Sequence, residues 1–220
     1  MEATRDVFVV GDVHGCLYTF IKLLEQWDPR SELLVQVGDL VDRGRFSPEV
    51  MRLAFELDCN FKNDVVFLKG NHELMMEDYL TDPELGKNWL QNGGNQTLYQ
   101  FDVAHVNPDH YSNWINQLPL YWENEAIFVS HAGISGMANL QDPRSKDGLL
   151  WSRRKPINIG KLQIIGHTPG WDGVPKYYIE SNAWNIDTCA YGGICLTAIR
   201  LTGDGQFKEF LSVPTDGRDT

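Results

Sequence analysis

Apolar positions recur along the chain at two different spacings. Short β-rich runs fall at residues 7–10, 33–37 and 65–68, each of buried-strand length and each leading into glycine with a polar neighbour. Between the first two, Leu17, Phe20, Ile21 and Leu24 stand at i, i+3, i+4 and i+7, which places them on one face of a helix. Between the second and third, Ser47-Pro48-Glu49 reads as an N-cap with proline at the first helical position, ahead of Val50, Met51, Leu53, Ala54 and Leu57. The pattern predicts β-α-β-α-β from Asp6 to about Asn71.

Beyond it the period changes. Thr81-Asp82-Pro83-Glu84 has the form of a capping box, and about 81–122 reads as a helical insert broken by Gly93-Gly94 and Pro108. Strand-like runs return at 126–130, 162–165, 185–187 and 194–201, and Gly203-Asp204-Gly205 offers a hairpin turn into 207–213. The polar end, 215–220, is expected to fray. With no internal repeat, residues 1–220 are expected to form a single α/β domain in which two β-sheets are sandwiched between helices.

Composition narrows the field. At 220 residues with 42% hydrophobic and 22% charged residues, the chain can bury a sizeable core, which excludes disorder as its default state. Nineteen Lys and Arg against 30 Asp and Glu give a formal net charge of -11, so neither nucleic acid nor a membrane is expected as a partner. No apolar run approaches the roughly 20 residues of a membrane span. Glu2, Arg5 and Asp6 interrupt the start, and a soluble, cytoplasmic monomer is expected. Cys16, Cys59, Cys189 and Cys195 lack CxxC spacing, so they suggest neither a disulfide framework nor a thiolate zinc site and fit a reducing cytosol.

The strand ends carry the chemistry. Gly11-Asp12-Val13-His14-Gly15 follows the first strand, Gly38-Asp39-Leu40-Val41-Asp42-Arg43-Gly44 the second and Gly70-Asn71-His72-Glu73 the third. Ser130-His131-Ala132-Gly133 and Gly166-His167-Thr168-Pro169 follow two later ones. In α/β sheets the carboxyl ends of the strands border the binding crevice, so separate turns would deliver these side chains to one place. Any one such turn is ordinarily only a turn, and a lone histidine is more often a satisfied core or surface residue. Five together change the balance. Four of the six histidines directly follow apolar β runs, whereas His105 and His110 lie in the helical insert and read as structural or surface residues. Oxygen and imidazole donors without thiolates suit Mn, Fe or Zn.

The order Gly-Asp-Val-His-Gly, 22 residues, Gly-Asp-Leu-Val-Asp-Arg-Gly, 25 residues, Gly-Asn-His-Glu resembles the signature of the metal-dependent phosphoprotein phosphatases. These are the serine/threonine protein phosphatases of the calcineurin-like metallophosphoesterase fold. The two later histidine motifs match as well, so the resemblance spans roughly 7–201. The short length, and Cys16 directly after the first motif, resemble the bacterial and bacteriophage lambda type more than the longer eukaryotic catalytic subunits.

The resemblance implies two divalent ions, Mn first and Fe or Zn as alternatives. Asp12 and His14 would hold one, Asp39 would bridge, and Asn71, His131 and His167 would hold the other. It implies His72 as the acid that protonates the leaving oxygen, oriented by Asp42, with Arg43, Arg153 and Asn71 facing the phosphate. Arg154 adjoins Arg153, which fixes the second arginine only to within one residue, and Glu73 is left as a supporting or structural group. The implied activity is hydrolysis of phosphoserine and phosphothreonine in phosphoproteins or phosphopeptides, with phosphotyrosine open. Attack would come directly from a hydroxide bridging the ions, without a phosphoenzyme. One departure stands out: Asp187-Thr188-Cys189 occupies a place where such proteins often carry Asp-Thr-Gly.

Three other readings compete. Symmetrical diadenosine tetraphosphatases resemble the first motif but typically have Ala at the position of Asp42 and Asp at that of Glu73, so the sequence favours the protein phosphatases. A non-catalytic binding module on the same fold is weakened by the filled ligand positions. A phosphodiesterase or nuclease is disfavoured by the acidic balance and the intact Asp-Arg-Gly turn.

Overall fold

The computed structural model describes residues 5–136 and 139–220. In chain order the first elements are β1 (Asp6–Val10), α1 (Leu17–Leu24), β2 (Glu32–Gln36), α2 (Ser47–Asn60), β3 (Val65–Phe67) and α3 (Asn71–Thr81). Then come α4 (Lys87–Trp89), α5 (Asn95–Val103), α6 (Ser112–Gln117), β4 (Tyr121–Glu123) and β5 (Ile127–Ser130). The last are β6 (Leu162–Ile165), β7 (Lys176–Tyr178), β8 (Ala183–Asn185), β9 (Cys195–Leu201) and β10 (Phe207–Pro214). They form two five-stranded mixed sheets, ordered β10-β9-β1-β2-β3 and β4-β5-β6-β8-β7, flanked by helices.

The strand period of two divides the core into layers. Val7 and Val9 of β1 meet Val35, Val129, Ile164 and Ile199 between the sheets, while Phe8 and Val10 meet Phe20, Leu23 and Met51 under the helices. Burial on both faces is why β1 reads as an unbroken apolar run. β1, β2 and β3 run parallel, as do β5, β6 and β8, so each trio ends in loops at one edge of its sheet.

Several local expectations need correction. No helix opens at Thr81; α3 starts on Asn71 and stops there, with Asp82 extended at φ -150° and ψ 108°. Pro83 disfavours a helical residue before it and offers no N–H, which ends the helix. Helices therefore run from Asn71 to Gln117 rather than over 81–122, and β4 takes the end of that range. Ser47 is the first residue of α2 rather than its N-cap, which is Phe46. Its hydroxyl instead accepts the Asp42 N–H at 3.0 Å. The strand expected at 185–187 is β8, two residues earlier, which leaves Asp187 free in the following loop.

Residues 215–220 do not fray either. Asp219 is buried, and its carboxylate accepts the N–H groups of Tyr18 (3.1 Å) and Thr19 (2.9 Å) and the Thr19 hydroxyl (2.6 Å). Its carbonyl accepts the Arg45 N–H at 3.0 Å. Asp216 pairs with Lys22 at 2.9 Å, and the Arg218 guanidinium lies 3.5 Å from the Tyr18 ring centroid. The physical reason is that α1 begins with free N–H groups and Cys16 supplies no side-chain cap, so a distant carboxylate does. Among the described residues, no helix is long and apolar enough to cross a membrane.

Candidate metal centre

Asp39 is the hub where the strand-end loops meet. Its Oδ1 accepts the His72 N–H at 3.1 Å, while Oδ2 lies 3.3 Å from His14 Nε2 and 3.4 Å from His131 Nε2. His131 Nε2 is 2.9 Å from Asn71 Oδ1 and 3.1 Å from His167 Nδ1, which is itself 2.9 Å from Asn71 Oδ1. Asp12 accepts the His167 N–H at 3.0 Å. Asp12, His14, Asp39, Asn71, His131 and His167 are all buried.

This donor set fits a divalent cation. His14 Nδ1 lies 2.8 Å from the Val41 carbonyl and His131 Nδ1 3.1 Å from that of Val37. A carbonyl can only accept, so Nδ1 carries a proton in both rings and leaves Nε2, the atom facing Asp39, as the one that can coordinate. Imidazole nitrogens, carboxylate and amide oxygens thus converge, a set of nitrogen and oxygen donors that suits a divalent cation. Among the described residues His167 Nε2 is buried without a hydrogen-bond partner. Among the described residues two donor clusters can be drawn, His14 with Asp39 and His72, and Asp39 with His131 and His167, so Asp39 belongs to both.

The electrostatics agree. Burial pushes Asp12 well above the usual carboxylate range, and the carboxylates of Asp187 and Asp39 push in the same direction. Burial likewise raises Asp187 to about 6. Asp39 goes the other way: burial opposes ionisation, but His131, His72 and His14 together hold it well below its ordinary value. Burial lowers His14 well below its ordinary value, and burial followed by the His131 charge takes His167 down to about 3. Burial would lower His131 too, yet the Asp39 carboxylate outweighs it and lifts that ring to about 9.

The loops are braced from beneath. Buried Glu73 accepts N–H groups from Asp39 (2.7 Å), Leu40 (2.8 Å) and Gly70 (2.9 Å), tying the loop after β2 to the start of α3; it is a brace rather than a ligand. His14, Asp39, Asp42, Arg43, His167 and Cys189 all have φ between 46° and 72°. Left-handed backbone at non-glycine residues costs about 1–2 kcal/mol each and concentrates at functional sites. Cys189 adopts a left-handed conformation that a glycine would take freely, so the departure noted in the sequence adds strain at this turn.

Beside the hub, His72 Nδ1 lies 2.5 Å from Asp42 Oδ2. The Arg43 guanidinium lies 3.1 Å from His72 Nε2 and 4.4 Å from the Tyr191 ring centroid. Arg154 pairs with Asp147 at 3.4 Å, whereas the Arg153 charge contributes to lowering His167. Trp89, Thr97 and Tyr191 stand outside every motif read from the sequence, and Asp187 enters there only within Asp187-Thr188-Cys189. Asp187 was visible as the acid in Asp-Thr-Cys, and Trp89 and Thr97 share a spacing of four with Gly93, but neither signal is specific by itself.

A buried carboxylate, imidazole and amide centre at the strand ends of a two-sheet α/β sandwich is the plan of a metallophosphoesterase. The family profile of calcineurin-like phosphoesterases matches residues 6–199, and the chain belongs to that family. It is 40% identical to serine/threonine-protein phosphatase 1 of Salmonella typhimurium over 90% of this chain and 92% of the relative. It is 29% identical to a symmetrical bis(5'-nucleosyl)-tetraphosphatase of Proteus mirabilis over 80% of this chain and 65% of the relative. A crystal structure provisionally described as a diadenosine tetraphosphatase shares the fold, with a TM-score of 0.70, 22% identity and coverage of 98% of this chain and 96% of that one. The chain is thus a phosphoesterase of a family whose centres use divalent metals.

Proposed function

We propose that this protein removes phosphate from phosphoserine and phosphothreonine in phosphoproteins, with Mn as the preferred ion. The observation that carries this reading is the His72–Asp42 pair at 2.5 Å. A seryl alkoxide is a poor leaving group and needs a proton as it departs, whereas the phosphate expelled from a nucleotide anhydride needs little help. A buried, oriented imidazole is therefore better matched to a monoester than to an anhydride.

In this reading Asp12, His14 and Asp39 hold one ion, and Asp39, Asn71, His131 and His167 the other. Bound ions supply positive charge for the phosphoryl oxygens and lower the pKa of a water nucleophile. The donor spacing alone would admit His72 in place of Asp12. Two contacts argue against that: Nδ1 is committed to Asp42, and Nε2 faces the Arg43 guanidinium, a cation where a second cation would have to sit. Arg43 and Arg153 grip phosphoryl oxygens, Arg43 through a planar fork suited to bidentate contact. Once Arg43 turns to the phosphate, His72 Nε2 is free to hold the proton it delivers.

The test is turnover by metal-loaded protein of phosphoserine, phosphothreonine and phosphotyrosine peptides beside diadenosine tetraphosphate and a phosphodiester. Phosphoserine or phosphothreonine should lead by about tenfold or more in kcat/KM, and chelation should abolish the activity. Faster cleavage of diadenosine tetraphosphate would favour the tetraphosphatase reading, which the Proteus mirabilis relative supports. A loaded but inert protein would leave only a binding role.

A further inference from the structure

Asp42 is completely buried, and its carboxylate is held on both oxygens by the helical segment that follows α3. The Trp89 indole donates Nε1–H to Oδ2 at 2.7 Å, the same oxygen that faces His72 Nδ1. The Thr97 hydroxyl donates to Oδ1 at 2.5 Å. Trp89 and Thr97 are themselves fully buried. Between them Gly93, at φ 118°, brings its backbone so close that a side chain there would meet Asp42 Cβ at 2.6 Å. Trp89, Gly93 and Thr97 stand four residues apart in sequence, so α4, the wide turn over Leu90–Gly94 and α5 present them to Asp42 in succession.

We propose that Trp89 and Thr97 are positioning residues for the acid: they fix the plane of the Asp42 carboxylate and thereby the direction in which His72 presents its proton. This rests on the reading of His72 as the general acid. The physical argument is one of counting donors. With His72, Trp89 and Thr97 in place, each carboxylate oxygen has a partner, and Oδ2 has two. Take away the Thr97 donor and Oδ1 is left bare in a dry site, where an unpaired charged oxygen is costly. The carboxylate then turns to recover a partner, and the imidazole bonded to Oδ2 turns with it. A seam built only for packing would not need the Thr97 hydroxyl, because valine would fill the same space.

Thr97→Val, which removes the hydroxyl at constant shape, and Trp89→Phe, which removes the indole N–H, test this. The measurement is kcat across phosphomonoesters of graded leaving-group pKa, with bound metal and melting temperature determined for each variant. Thr97→Val should slow an alkyl phosphate roughly tenfold while changing a nitrophenyl-type ester by less than about twofold. Thr97→Ser should restore the alkyl rate. Added to His72→Asn, Thr97→Val should produce no further selective loss, since a residue acting only through His72 has nothing left to position. Uniform slowing of all esters, an unchanged alkyl rate, or a full additional loss in the His72→Asn background would overturn the proposal. His72→Asn alone separates the two ideas. If it shows no leaving-group dependence, the acid reading fails and this one with it; if it does and Thr97→Val does not, only the positioning role fails. Should Trp89→Phe unfold, Thr97→Val and its serine rescue still decide the matter.

Discussion

Asp219→Ala removes a buried carboxylate that lies 200 and 201 residues in sequence from the groups it holds. The loss can be worked from its contacts. Two backbone N–H groups and one hydroxyl at the start of α1 lose their acceptor, at 3.1, 2.9 and 2.6 Å. A hydrogen bond to a charged group contributes about 1.5–3 kcal/mol, and a negative charge at a helix N-terminus about 0.3–1 kcal/mol. Water can reach a helix end in part, so the bonds do not add fully, and a loss of about 3 kcal/mol is expected. For a chain of this size that corresponds to a fall in Tm of roughly 6–12 °C. Asp219→Asn keeps one acceptor oxygen and should lose about half as much. Thermal and urea unfolding of the metal-free protein, followed by circular dichroism, read the effect without involving catalysis. A Tm for Asp219→Ala within about 1 °C of the parent would refute the strap and restore a frayed end.

One further outcome follows from the site and one from the burial of the thiols. Arg43→Ala and Arg153→Ala should each lower kcat/KM by about 10–150-fold and weaken inhibition by inorganic phosphate, the value of one charge-assisted contact, with metal content unchanged. Arg154→Ala should stay near the parent because that side chain is paired with Asp147; a reversal between Arg153 and Arg154 would show the assignment to be off by one residue. The thiols should separate by burial: Cys59 is exposed, while burial pushes the enclosed Cys16 thiol up to about 12. The thiolate is the reactive form, so raising the pH from 7 to 9 should leave Cys16 unlabelled in folded protein while Cys59 reacts, as mass spectrometry of alkylated peptides would show. Alkylation of Cys16 at a rate matching Cys59 would contradict its enclosure.

Much of the centre was legible in the linear chain because its chemistry sits where the local pattern changes. A buried strand needs a short apolar run, and a run that ends in glycine and a polar residue marks a turn at a sheet edge, so the turns bearing Asp12, His14, Asp39, Asn71, His131 and His167 could be gathered in one place, while the choice of these six as ligands came from the resemblance to the phosphatase motifs. The two-sheet architecture followed from the same periodicity. What adjacency in sequence cannot express is which distant group answers a local need. Thr81–Glu84 satisfies a capping pattern, yet Pro83 terminates the preceding helix there instead. Ser47 looks like a cap, yet its hydroxyl serves Asp42. Residues 215–220 are polar enough to fray, yet the free N–H groups of α1 draw Asp219 inward. Trp89 and Thr97 carry no motif until folding closes the helical segment over Asp42. Local sequence determined most of the strands and the turns that follow them, because those depend on periodicity and backbone preference within a few residues. The tertiary structure decided the bracing of the loops and the orientation of His72, because a buried hydrogen-bonding group must find its partner wherever the fold brings one near.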